Sequence, residues 1–170
     1  MLPKVFFAYF SVMITILSLL VITRRNPVHS ILFMLGLFFH IAALYVFLNA
    51  EFIAAIQVIV YAGAILVLFL FVVMMLNLRE EMLERRYIGA WPVGALLSVT
   101  ILFSLFSALK VIPQGPAGRY GIEAIKSETH TAALGKILYT EYLFPFEVAS
   151  VVLLVAIIGA IVLAKKRIKT

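Results

Sequence analysis

The sequence predicts an all-α integral membrane protein with five transmembrane helices. Of its 170 residues, 65% are hydrophobic and only 13% are charged, and the mean hydropathy is +1.15. A soluble domain would not expose so much apolar side chain. Five apolar stretches reach the roughly 20 residues that a helix needs to cross the hydrocarbon core. These spans, which we expect to form a single membrane domain over residues 1–170, are 5–22, 28–48, 52–76, 92–112 and 145–164.

The first span follows Lys4 and could be read as a signal peptide. It has no small-residue cleavage site, however, and Arg24 and Arg25 come directly after it. Both features favour a retained transmembrane helix.

Proline marks the start of three later spans. Asn26 and Pro27 predict the start of the second helix, with the asparagine as N-cap and the proline in the first turn, where its missing N–H has no partner to lose. Pro92 and Pro145 are expected to open the fourth and fifth helices in the same way.

The third span has no charged residue from Phe52 to Leu78, yet it contains Gln57 and Tyr61. These two are four residues apart, so on a regular helix they share a face, which Ala64 and Leu68 continue. Because an unpaired side-chain amide in hydrocarbon costs several kcal/mol, this face should point to another helix or to a hydrated cavity. A polar contact between helices would be enough to explain Gln57.

Gly63 lies between Ala62 and Ala64, close to the middle of the third span. Small residues there allow two helix backbones to approach closely. The alternative is a local π-bulge, in which i to i+5 bonding turns the rest of the helix by about one residue's rotation.

Two connections separate the later spans. The stretch NLREEMLERRYIGAW after the third span is a charged linker with a possible helical pair at Glu81 and Arg85. The longer connection, 113–144, begins with the turn-rich PQGPAGRYG and becomes compatible with a helix from about Glu123.

The basic residues predict the orientation of the chain. Five spans place the termini on opposite sides, and the 14 lysines and arginines then divide into 5 and 9. The positive-inside rule puts the N-terminus outside and the C-terminus in the cytoplasm, with connection 113–144 outside. The outside set is Lys4, Lys110, Arg119, Lys126 and Lys136, and the cytoplasmic set is Arg24, Arg25, Arg79, Arg85, Arg86, Lys165, Lys166, Arg167 and Lys169.

Three ionisable side chains border or enter the spans. Glu51 is expected just before the third helix and Glu147 in the first turn of the fifth, where a negative charge interacts favourably with the helix dipole. Glu147 could instead accept protons near the membrane surface. His40, which shares its span with no carboxylate, is interpreted as a satisfied helix-contact residue.

The composition also excludes most cofactor chemistry on this chain. There is no cysteine, so disulfides, iron–sulfur ligation and cysteine-based zinc sites are excluded, and three scattered histidines offer no haem or metal framework. The basic residues fall at the ends of spans, where topology explains them without nucleic acid.

Two stretches together resemble a known family. They are NPVHSILFMLGLFFHIAALYVFLNAEFIAAIQVIVYAGAILVLFLFVVMMLNL from Asn26 and LYTEYLFPFEVASVVLLVAIIGAIVLAKK from Leu138. The IVYAGAI, LFVVMMLNL and PFE patterns resemble the J chain of bacterial respiratory complex I, the proton-pumping NADH:quinone oxidoreductase. Its mitochondrial counterpart is NADH dehydrogenase chain 6.

This resemblance implies a non-redox subunit of the membrane arm in the bacterial inner membrane. Its partners would be the A, H and K chains, the antiporter-like N, M and L chains, and lipid. NAD, FMN, iron–sulfur clusters and quinone would all be held by partner chains. In that family the third helix carries a π-bulge at the positions of Tyr61, Ala62 and Gly63, and its rotation is linked to opening a hydrated proton route.

The chain departs from the family pattern at Gln57, where several relatives carry a glutamate. Gln57 can order water but cannot carry a net charge at neutral pH, so a carboxylate relay through this region would need glutamates of neighbouring chains. Two alternative functions stay open: the equivalent chain of a ferredoxin-fed relative, and the membrane module of a multi-subunit sodium/proton antiporter.

Overall fold

The computed structural model describes residues 2–76, 91–109 and 128–165, and all of its regular elements are helices. The chain divides into two compact units, Met1–Gly118 and Arg119–Thr170. Five helices are long and apolar enough to cross a membrane, which agrees with the predicted number. In chain order the helices are α1 (Leu2–Thr23), α2 (Pro27–Phe47), α3 (Glu51–Met75), α4 (Trp91–Leu109), α5 (His130–Thr140) and α6 (Leu143–Ala164).

The turn between α1 and α2 is set by the predicted cap. The side-chain oxygen of Asn26 accepts a hydrogen bond from the Val28 N–H at 2.9 Å, and Pro27 is the first helical residue. The cap satisfies one of the N–H groups that a helix start leaves without a partner inside the helix. The prediction for this helix start is therefore confirmed.

The contact between α1 and α2 is made by large side chains. The ring centroids of Phe6 and Phe47 are 5.8 Å apart, and those of Phe10 and Phe47 are 6.4 Å apart. Gly36 of α2 faces Leu17 of α1. No residue of α1 is buried, so this contact depends on side chains that stay partly exposed.

The turn between α2 and α3 uses a second asparagine. Asn49 has a φ of 59°, in the left-handed region. Its N–H donates to the Val46 oxygen at 3.0 Å, and the Ala50 N–H donates to the Tyr45 oxygen at 2.8 Å. These two bonds form a Schellman motif, which closes the end of α2. The chain reverses within three residues, and α3 packs back against α2.

Within the first unit, α2 is the central helix. It packs against α1 on one side and along the length of α3 on the other, whereas α1 and α3 do not touch each other within the described residues. Within this unit, helix α4 contacts none of the other described helices, and its described side chains are exposed along its whole length.

In the second unit, α5 packs against α6. The rings of Tyr139 and Phe146 meet edge to face at a centroid distance of 5.3 Å, and Ala133 is buried. Helix α5 lies within the predicted connection 113–144, in the part expected to be compatible with a helix. The Glu128–Lys136 ion pair, at 3.8 Å, is exposed and adds little stability.

The fifth transmembrane helix starts earlier than predicted. Helix α6 begins at Leu143, so Pro145 is its third residue and Glu147 its fifth. The first N–H groups of a helix have no partner inside the helix, so a proline fits as well at the third residue as at the first. The prediction that Glu147 lies in the first turn is therefore wrong, whereas Glu51 lies in the first turn of α3.

Some predicted features fall outside the described residues. These are the Glu81–Arg85 pair, the PQGPAGRYG turn and the last three residues of the predicted fourth span.

Candidate functional site

Helix α3 changes its hydrogen bonding twice along its length. Glu51–Ile56 and Leu66–Met75 are α-helical, and the nine residues Gln57–Ile65 between them form a π-helix. At the end of this segment the Leu66 N–H donates to the Tyr61 oxygen, five residues back instead of four. We call Gln57–Ile65 the π segment.

The π segment includes the three positions at which the family resemblance implies a bulge. It extends beyond Tyr61–Gly63 on both sides and begins at Gln57. Since π-helices occupy well under 1% of residues in proteins, a nine-residue segment is a rare feature of the backbone.

The π segment sets which residues of α3 face α2. Four residues of α3 are buried, namely Ala54, Gln57, Ala62 and Leu66, so the steps between them are three, five and four residues. Steps of three and four keep residues on one face of an α-helix. The step of five lies inside the π segment, which has more residues per turn. Among the described helices, α2 is the one that packs against this face.

The expectation that Tyr61, Ala64 and Leu68 share the face of Gln57 is therefore wrong. Tyr61 is 45% exposed and Leu68 is 66% exposed, whereas Ala62 is only 4% exposed. The prediction assumed α-helical periodicity, and the π segment adds one residue to the step after Gln57. Ala62 consequently occupies the place against α2 that a regular helix would give to Tyr61.

Gln57 is a buried polar side chain without a partner in the described part of the chain. It is 8% exposed, and no hydrogen bond joins its side-chain amide to another described residue. It lies about 9 Å along the helix from Glu51 at 1.5 Å per residue. The one fully enclosed side-chain polar atom without a hydrogen-bond partner among the described residues is His130 Nδ1. The Gln57 amide therefore reaches the surface of the chain, where water or another chain can supply the partner that an amide needs in hydrocarbon.

Tyr61 keeps a contact with α2 from the edge of the interface. Its ring meets the ring of Phe38 at a centroid distance of 6.1 Å and an angle of 77°. Its hydroxyl makes no hydrogen bond to a described residue. The contact with Phe38 could not be predicted, because pairing between helices leaves no periodic pattern.

Gly63 faces the backbone of its own helix. A Cβ added at this position would lie 3.3 Å from the Val58 oxygen, five residues earlier. This distance is tighter than ordinary van der Waals contact, so a side chain at position 63 would require the Val58 carbonyl to give by a few tenths of an ångström. Added Cβ atoms at Gly94, Gly135 and Gly159 would meet nothing within 4 Å.

The two other sequence candidates lie elsewhere. Both ring nitrogens of His40 have neighbours, Nδ1 at 2.8 Å from the Gly36 oxygen and Nε2 at 3.5 Å from the Tyr9 hydroxyl. The interpretation of His40 as a satisfied contact between helices is confirmed. Glu147 belongs to the second unit, where its side chain is exposed and its backbone oxygen accepts from Ser150 Oγ at 2.7 Å.

No group of three or more potential metal-binding side chains occurs within residues 2–76, 91–109 and 128–165. The chemistry available in the π segment is hydrogen bonding by a neutral amide and a phenol.

Comparison with known proteins assigns the family. The model of the family described as NADH-ubiquinone/plastoquinone oxidoreductase chain 6 matches residues 17–163. The chain belongs to this chain 6 family. The match begins within α1 and ends within α6, and so contains the whole of α3.

Curated members of the chain 6 family align with most of the chain. NADH-quinone oxidoreductase subunit J of Rhodobacter capsulatus is 42% identical over 159 residues, covering 92% of this chain and 79% of the relative. NADH-ubiquinone oxidoreductase chain 6 of Marchantia polymorpha is 39% identical, covering 94% and 85%. NAD(P)H-quinone oxidoreductase chain 6 of Synechocystis is 38% identical, covering 86% and 72%.

Proposed function

We propose that this chain is a non-redox membrane-arm subunit of a proton-pumping NADH:quinone oxidoreductase, and that α3 couples quinone reduction to proton movement. The observation that carries the proposal is the π segment, which places the largely buried residue Gln57 beside α2 with no hydrogen bond from its amide to the described chain. Family membership supports the rest, because the relatives are named as subunits of quinone oxidoreductases.

The proposed movement is a change of register in α3. If the π segment returned to α-helical bonding, the helix beyond it would turn by about one residue, or roughly 100°. Tyr61 would then replace Ala62 against α2. With the π segment present, the Ala62 methyl group lies against α2 one turn beyond Gln57. In the α-helical state the Tyr61 phenol would lie there instead, so the space available to water near Gln57 would differ between the two states.

Proton transfer past this point would depend on ordered water. The Gln57 amide can both donate to water and accept from it, but it carries no charge at neutral pH. A carboxylate relay would use glutamates of partner chains. Glu147 is the candidate proton acceptor on this chain, because its carboxylate is exposed near the start of a transmembrane helix.

The proposed setting follows from the family and the charge distribution. The chain would lie in a bacterial inner membrane with its N-terminus outside and its C-terminus in the cytoplasm. Its partners would be the A, H and K chains and the antiporter-like N, M and L chains. NAD, FMN, iron–sulfur clusters and quinone would bind to partner chains. The names of the relatives favour quinone reduction over sodium/proton antiport.

The proposal is tested by filling position 63. A Gly63→Leu variant of the assembled enzyme would force the Val58 carbonyl away, since a single added carbon is already 3.3 Å from it. Gly63 is exposed in the described chain, so the strain falls on this one backbone contact, and about 1 kcal/mol of strain is enough to shift a two-state helix about fivefold. We expect both NADH:quinone reduction and proton pumping, measured in membrane vesicles, to fall at least about fivefold.

The matched control is Gly94→Leu, because nothing lies within 4 Å of a Cβ added to Gly94. Both variants should assemble in normal amounts, and the control should keep its activity. Normal coupled activity in Gly63→Leu would reject a moving π segment.

A further inference from the structure

The end of the α1–α2 hairpin holds an open cavity of about 280 Å³, lined by Arg24, His29, Leu32 and Phe33. It combines one cationic side chain, one imidazole and two apolar side chains. We propose that this cavity binds the phosphate headgroup of an anionic membrane phospholipid. The proposal requires only that α1 and α2 cross the membrane, so it is independent of the electron donor and of any movement in α3.

Arg24 supplies the charge. Its guanidinium carbon lies 5.1 Å from the centroid of the Phe33 ring, a cation–π contact that holds the group in place and leaves its N–H edge free for a phosphate. No carboxylate forms an ion pair with Arg24 among the described residues. The first 50 residues contain no aspartate or glutamate, so the hairpin itself provides no counterion.

The other lining residues match the rest of a lipid headgroup region. His29 has a ring N–H in either tautomer and can donate to a second phosphate oxygen. Leu32, which is 54% exposed, and Phe33 give the cavity an apolar side, suited to the glycerol and upper acyl carbons. The backbone at the start of α2 adds little, because Pro27 has no N–H and the Val28 N–H is taken by Asn26.

The position of the cavity favours a lipid over a soluble anion. Arg24 comes directly after α1, a 22-residue span, and His29 lies in the first turn of α2. The cavity is thus at the boundary between hydrocarbon and water, where phospholipid phosphates lie. A basic pocket formed by the α1–α2 turn and the start of α2 at this depth has the chemistry that binds anionic headgroups.

The test uses the assembled enzyme with a photoreactive benzophenone amino acid in place of Leu32. The enzyme is reconstituted in phosphatidylcholine vesicles that contain a known minor fraction of phosphatidylglycerol, irradiated, and analysed by mass spectrometry of this chain. We expect phosphatidylglycerol adducts to exceed their share of the lipid by about fivefold, which corresponds to about 1 kcal/mol from one arginine near the surface.

Arg24→Gln and Arg25→Gln form the matched pair, since each removes one positive charge from the same end of the hairpin and only Arg24 lines the cavity. Enrichment should disappear in Arg24→Gln and persist in Arg25→Gln, and added inorganic phosphate should not reduce it. Four results would each overturn the proposal: adducts that follow the lipid composition, equal loss in both variants, displacement by inorganic phosphate, or an adduct with a partner protein in place of lipid.

Discussion

Helix α2 packs against two neighbours, and the two interfaces treat their polar groups differently. On the α1 side, both nitrogens of His40 lie near partners within the chain, the Gly36 oxygen and the Tyr9 hydroxyl. On the α3 side, Gln57 is almost fully buried and its amide has no partner among the described residues. The first interface is complete in itself, whereas the second needs water or another chain.

The helices on the two sides of α2 also differ in backbone regularity. Helix α1 is α-helical throughout and packs through large aromatic side chains. Helix α3 contains the nine-residue π segment, and two of the four residues that it buries against α2 are alanines, Ala54 and Ala62. A π-helix is rare, and the Gln57 amide makes no hydrogen bond within the described chain. Their occurrence in one segment is the reason for placing the functional site there.

The largest expected effect comes from the packed position of the π segment. An Ala62→Leu variant would insert three carbons where Ala62 is 4% exposed against α2. Overpacking there should cost about 1–3 kcal/mol, and a loss of that size can lower the amount of a protein several-fold. The measurement is the amount of the chain in membranes, by quantitative immunoblot.

Ala64→Leu is the control for that variant, because Ala64 lies two residues further along the same segment and is exposed. The control should accumulate normally. Equal losses would mean that the five-residue step between Gln57 and Ala62 is not the register in which α3 packs.

The second-largest expected effect is that of Gln57→Leu, which should change proton pumping more than stability. In Gln57→Leu, a buried amide without a partner is replaced by an apolar side chain of similar size, so assembly should change by no more than about 1 kcal/mol. The number of protons pumped per NADH oxidised should nevertheless fall about twofold or more, because the proposed proton route depends on water ordered by Gln57. Proton uptake and NADH oxidation in the same vesicles measure this ratio.

Ile59→Leu serves as the control, since Ile59 lies in the same segment on an exposed face. A pumping ratio that stays unchanged in Gln57→Leu would reduce Gln57 to a contact residue. A large loss of assembled enzyme would instead show that its amide has a partner in the complex.

More of the α1–α2 hairpin than of the α2–α3 interface could be predicted from the sequence. Apolar length predicted the spans, and the Asn26–Pro27 pair predicted the start of α2, because both depend on local chemistry. The residues around Gly63 left a π-bulge open as an alternative to close helix packing, and the family resemblance favoured it. Burial of Ala62 in place of Tyr61 could not be predicted, because it depends on a backbone change that hydrophobic periodicity assumes to be absent.

The position of Glu147 shows a second limit of sequence reasoning. Proline permits several positions in the first turn of a helix, so Pro145 did not define where α6 begins, and the dipole argument for Glu147 failed with it. Lateral contacts such as Phe38 with Tyr61 were missed for a related reason, since they depend on how neighbouring helices are rotated.

The smallest expected effect is at the α1–α2 interface, where the polar groups have partners within the chain. Tyr9→Phe removes the hydroxyl that lies 3.5 Å from His40 Nε2 but keeps the ring beside Phe10. A hydrogen bond this long, on an exposed tyrosine, contributes less than the usual 1 kcal/mol, so we expect a change below about 0.5 kcal/mol and normal amounts of enzyme. Tyr45→Phe is the control, because the Tyr45 hydroxyl makes no hydrogen bond to a described residue. If Tyr9→Phe alone lowered the amount of chain as far as Ala62→Leu, the α1–α2 interface would depend on its polar pair as well, and the contrast between the two sides of α2 would be lost.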